Sequence, residues 1–184
     1  MKKDRMLIPT PTGKIIDLNR LHISDIDVKD IARALSKNPC YNGATKFFYS
    51  LAQHSVIVSG RVQKKYRLEA LLHHASVSYL GGGCNINTHN RIGCYNTELI
   101  EDVTIKILRR FGLSKESYYL GLCSEVRGQD DLVRCAEIDN LIENGESVRQ
   151  LVGPKGKAPH IIIKPMLPEE AEVAFIKQYD NCYS

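Results

Sequence analysis

The chain has 184 residues, with 25 Lys and Arg against 21 Asp and Glu and a formal charge of +4. That length suits one domain able to bury a core without disulfides, and the dispersed basic residues fit a small phosphorylated ligand better than nucleic acid. Six cysteines with no C-x-x-C pair argue for reduced thiols, and no stretch approaches the roughly 18 apolar residues of a membrane span.

The N-terminus is basic, but Pro9, Thr10, Pro11 and Gly13 stand where a signal peptide needs an apolar run, so a cytoplasmic protein is expected. Residues 6–17 read as two short extended pieces around a Pro-Thr-Gly turn. Helices then dominate. Ser24 is expected to cap a helix over residues 24–36, with Val28, Ile31, Ala32 and Leu35 on one stripe. A second helix is predicted over 46–61, where Phe47, Leu51, His54 and Val58 recur at helical spacing and turn His54 inward. A third, over 67–80, carries Leu68, Leu72, Ala75 and Tyr79 and stops at Gly81-Gly82-Gly83.

After a polar loop over 83–93, a long amphipathic helix is predicted for 95–111, with Leu99, Val103, Ile107 and Leu108 on its inner face and Gly112 closing it. Ser114 is expected to cap a helix through Val126, and residues 130–148 to form a further helix containing Asp139. A short strand at 161–163 and a helix opened by Pro168-Glu169-Glu170 complete the chain. The fold class is therefore mostly α, a single domain over 1–184 with its helical core at 24–150, a C-terminal strand and helix at 160–180, and a few short strands at the ends.

His54, His73, His74 and Asp139 are residue types that bind divalent metals. Adjacent helical residues point about 100° apart, so His73 and His74 can share one ion only if it sits between their directions. The alternative is that each inward histidine is a hydrogen-bonded core residue. His22, His89 and His160 fall in loops and read as solvated, and the aromatics from Tyr41 to Tyr49 read as packing residues, with the lining of a nucleoside pocket as the alternative.

Two segments carry a resemblance. Ala44-Thr45-Lys46-Phe47-Phe48-Tyr49-Ser50-Leu51-Ala52-Gln53-His54-Ser55 resembles H-T-R-E-F-Y-S-V-A-Q-H-S, and the segment Ala70 to Gly81 resembles A-L-L-H-D-A-S-E-A-Y-L-G, both from the HD-domain 5'-deoxynucleotidase-like phosphohydrolases of bacteria and phages. Arg110 to Leu113, Ala136 to Asp139 and Pro168 to Glu172 extend it along the chain. The resemblance implies an HD fold, a homodimer, and one divalent ion held by His54, His73, the residue at 74 and Asp139, positioning water against a nucleotide phosphate.

The chain departs from that pattern around the implied site. His74 replaces the Asp of the HD pair, Val77 and Gly82 replace acids that act on water and substrate, and Lys46 replaces an Arg expected at the phosphate. Lysine lacks the bidentate fork of arginine, and a neutral His74 favours zinc, cobalt, nickel or manganese over magnesium if metal is kept at all. The expectation is a pseudoenzyme that binds a nucleotide or similar phosphorylated molecule through Lys46 and Tyr49, with little or no hydrolysis. The alternatives are an active metal-dependent 5'-(deoxy)nucleotidase and a protein-interaction module.

Overall fold

Gly13, at φ 85°, turns the chain back on itself and lets Leu7–Pro9 (β1) pair antiparallel with Ile15–Asp17 (β2), Leu7 opposite Asp17 and Pro9 opposite Ile15. These residues belong to a computed structural model that describes residues 5–81, 97–113 and 123–184. The buried Asp30 carboxylate accepts from Thr12 N at 2.7 Å and from Thr12 Oγ1 at 3.1 Å, which ties the hairpin to the first helix.

That helix, Val28–Lys37 (α1), begins later than expected. Its cap is Asp27, whose carboxylate accepts from Lys29 N at 2.9 Å, whereas Ser24 lies in a separate single turn, Ile23–Asp25. Leu51–Arg61 (α2) likewise starts after 46 and is capped by Ser50, whose hydroxyl accepts from Gln53 N. Residues 46–50 stay out of the helix because their backbone is bonded elsewhere. Lys46 N donates to Leu141 O at 2.8 Å, and Tyr49 O accepts from Cys40 N at 2.8 Å.

The helix predicted for 67–80 is split into Arg67–Leu72 (α3) and Val77–Leu80 (α4). Between them Ala75 N bonds Leu72 O and Val77 N bonds His74 O, so i+3 bonds tighten the chain where the two histidines lie. Thr97–Arg110 (α5) matches expectation. The break expected near 126–130 is absent: Ser124–Leu141 (α6) runs without interruption, and a second helix, Gly145–Val152 (α7), follows. The helix expected from Ser114 and the loop over 83–90 lie mostly outside the described residues, as do Gly82, Cys84, His89 and Cys94.

Gly145 opens α7 so close to α6 that a Cβ there would meet the Ile138 carbonyl oxygen. Pro168–Asn181 (α8) closes the fold, with Pro168 in its first turn and Glu170 Oε2 accepting from Leu167 N at 2.8 Å. No strand forms at 161–163. Ile161 and Ile163 instead pack against small apolar clusters, and Gln53 Nε2 donates to Lys164 O at 2.6 Å, holding this stretch to α2.

Among the described residues the architecture is mostly helical, with one small antiparallel sheet near the N-terminus. Its main core joins Leu18, Ile26, Ile31, Leu35, Leu71, Val103, Ile107 and Phe175. Helix α2 touches α1, α3, α6 and α8, so its inward side chains meet several elements at once. Among the described residues no helix is long and apolar enough to cross a membrane.

Candidate metal centre

Three elements bring four ligand side chains together. His54 lies one turn into α2, His73 and His74 lie in the tight turn between α3 and α4, and Asp130 lies in the middle of α6. One ligand atom from each falls within 4.8 Å of those from the others, so this buried group is able to hold a metal ion. The turn decides whether the adjacent histidines can cooperate. Their rings stand 3.8 Å apart centre to centre, and both lie near His54, at 5.3 and 5.0 Å.

Hydrogen bonds at the far side of two rings set their orientation. His54 Nδ1 bonds Glu137 Oε1 at 2.7 Å, and His73 Nδ1 bonds the Ala70 carbonyl at 2.5 Å. Both Nε2 atoms therefore face inward, 3.3 Å apart. Asp130 Oδ1 occupies a buried position 3.1 Å from His54 Nε2 and 3.8 Å from His73 Nε2. Two inward nitrogens and a carboxylate oxygen within reach of one another are donor types that a divalent cation binds.

The carboxylates set the charge of the group. Burial disfavours charge on His54, but Glu137 and Asp130 outweigh it and raise the group to about 10. Burial pushes His73 down to about 4, against the pull of Asp130. Burial would raise Asp130, but His54 and then His73 hold it at about 2. Glu137, fully buried, is also lowered: burial opposes this, but His54, Tyr41 and Tyr49 all favour its charged form. The charged forms of the buried Glu137 and the partly buried Asp130 are thus both favoured by the histidine between them.

Asp139, the fourth ligand expected, is not in the group. Its Oδ1 accepts from Arg149 Nε at 2.7 Å, and Asp130 stands in its place as the carboxylate donor. Nine residues at about 100° each leave Asp130 and Asp139 on opposite sides of one helix. A signal for Asp130 was present in the sequence. Val126, Asp130, Val133, Glu137 and Leu141 recur at spacings of four and three, an apolar stripe interrupted by two acids. A helix start at 130 cuts this stripe at its first acid, whereas the helix begins at Ser124 and carries the stripe whole.

The expected substrate-binding residues differ in exposure. Tyr49 is fully buried, and its hydroxyl donates to Glu137 Oε1 at 2.5 Å. Lys46 is exposed, with Nζ 3.4 Å from the Asn140 carbonyl at the end of α6. Val77 is buried in the main apolar core. Among the described residues Cys40, Cys123, Cys135 and Cys182 carry free thiols, and His22 and His160 are exposed.

No family model matches the chain. An uncharacterized Escherichia coli protein, YfdR, is 38% identical over 72 residues, covering 39% of this chain and 40% of that protein. An uncharacterized protein of Rhodobacter capsulatus is 32% identical over 111 residues, covering 55% of this chain and 56% of its own length. The chain thus spans about half the length, or less, of these curated relatives.

Proposed function

We propose that the chain is an HD-type phosphohydrolase relative that holds a divalent cation at His54, His73, His74 and Asp130 and binds a nucleotide or similar phosphorylated small molecule there, with little or no hydrolysis. The observation that carries this reading is the convergence of those four donors in one buried group. Three imidazoles and one carboxylate form a nitrogen-rich set that favours zinc, cobalt, nickel or manganese over magnesium. A cation bound there supplies positive charge for a phosphate oxygen and acidifies water in contact with it.

The low hydrolytic power follows from the carboxylates. Asp130 is itself a ligand, and Glu137 already accepts from His54, Tyr41 and Tyr49, so neither is left to take a proton from water. Val77, where the resemblance implies an acid, is packed among apolar side chains. Lys46, exposed near the end of α6, offers a single point charge to a phosphate.

A second reading, an active metal-dependent 5'-(deoxy)nucleotidase, draws on the same group, because the ligand set is complete once Asp130 is counted. Elemental analysis of untagged protein, a thermal-shift screen of nucleotides and phosphate release from deoxynucleoside monophosphates with magnesium, manganese, cobalt and zinc separate the two. Bound metal and a nucleotide-dependent shift without turnover are expected. Robust metal-dependent release would replace the first reading with the second, and absence of both metal and nucleotide binding would leave a protein-interaction module.

A further inference from the structure

We propose that Glu137 is a positioning residue, which accepts the hydrogen bond from His54 Nδ1–H, keeps that proton on Nδ1 and thereby commits His54 Nε2 to the cation. The inference rests on the reading of the four-donor group as a cation site. Glu137 lies seven residues from Asp130, two turns along the same face of α6, so one helix supplies both a ligand and the carboxylate behind another ligand. Its Oε1 accepts from His54 Nδ1 at 2.7 Å and from Tyr49 at 2.5 Å, and its Oε2 accepts from Tyr41 at 2.6 Å. A carboxylate offers about four lone-pair positions, and three donors hold this one in a single orientation.

The cost of the arrangement argues that it serves more than packing. Replacing a buried charged group by an apolar side chain of similar volume is often neutral or stabilising, so packing energy alone does not account for the fully buried Glu137. Tyr41 reaches Glu137 from a backbone with φ 54° and ψ 30°, followed by Asn42 at φ 54°, two consecutive left-handed residues without glycine's freedom. Strain of this kind persists where the surroundings over-determine it, commonly at functional sites. A carboxylate behind a ligating imidazole fixes its tautomer and makes its other nitrogen a stronger donor, and losing such a partner typically costs about 10–100-fold in metal affinity.

The test uses the full chain without a histidine tag, with zinc and cobalt(II) as probes. Dissociation constants are measured by competition titration, and the His54 Nδ1 proton is followed by 15N-resolved NMR in the zinc-loaded protein. Glu137→Gln is expected to weaken both metals by about 10–100-fold and to move or abolish the Nδ1 proton signal. Tyr41→Phe keeps the carboxylate and its charge and removes one donor. It is expected to fold like the parent, shift the same signal and weaken binding to a smaller extent. A structural role alone would lower the melting temperature and leave affinity and the His54 signal unchanged in the folded fraction. That outcome in both variants overturns the proposal while the cation site stands; if Glu137→Gln does not fold, the same outcome in Tyr41→Phe overturns it alone. A parent chain that binds neither metal overturns the cation reading and this proposal together.

Discussion

Where α1 packs on α8, the contact draws on Ile31, Ala32 and Leu35 from one helix and Ala171 and Phe175 from the other, all fully buried. Where α2 packs on α6, the interior holds His54, Asp130 and Glu137, with Tyr49 beneath them. The first seam gains stability from each apolar group removed from water, and it tolerates exchange among residues of similar volume. The second must satisfy every charge it buries, so its members depend on one another. The first seam therefore serves the fold, and the second gathers side chains that could hold a metal ion.

The sharpest way to break this comparison is to remove His54. His54→Ala is expected to abolish zinc and cobalt binding, read by elemental analysis and calorimetric titration, and to leave Glu137 and Asp130 without their partner, at a cost on the order of 3–5 kcal/mol. Full metal occupancy in this variant would show that the polar seam is not the cation site.

Phe175→Ala probes the other seam. It is expected to lower stability by about 3–5 kcal/mol in urea unfolding, while the folded fraction keeps the metal affinity of the parent. A loss of affinity without a loss of stability would contradict the division between the seams.

A smaller effect is expected at the junction of α6 and α7. Gly145→Ala drives a Cβ into the Ile138 carbonyl oxygen and is expected to cost about 1–3 kcal/mol. Thermal unfolding monitored by circular dichroism measures it, and an unchanged melting temperature would mean that α7 can shift freely on α6.

The smallest change is expected at Asp139, and it sharpens the comparison within one helix. Asp139→Asn weakens a partly exposed pair with Arg149 and is expected to leave metal stoichiometry and affinity unaltered. Asp130→Asn, two and a half turns away, is expected to lower affinity markedly. Equal effects from the two substitutions, compared in one titration series, would restore Asp139 to the ligand set.

Local pattern alone settled much of this protein. The apolar stripes of α1 and α5, the inward direction of His54, the proline-led start of α8 and the N-terminal hairpin all follow from spacing and turn chemistry, because each depends on residues a few positions apart. Tertiary structure decided the rest. Lys46 N and Tyr49 O are bonded to Leu141 and Cys40, which keeps residues 46–50 out of α2 despite their helical periodicity. The tight turn over 73–76 lets His73 and His74 lie together, which a regular helix did not guarantee. Asp130 and Asp139 are both acids on α6, and the choice between them turned on where that helix begins. Once α6 runs unbroken from Ser124, half a turn of net rotation separates the two, and only Asp130 faces α2, where the chain brings in histidines from 19 residues apart in sequence.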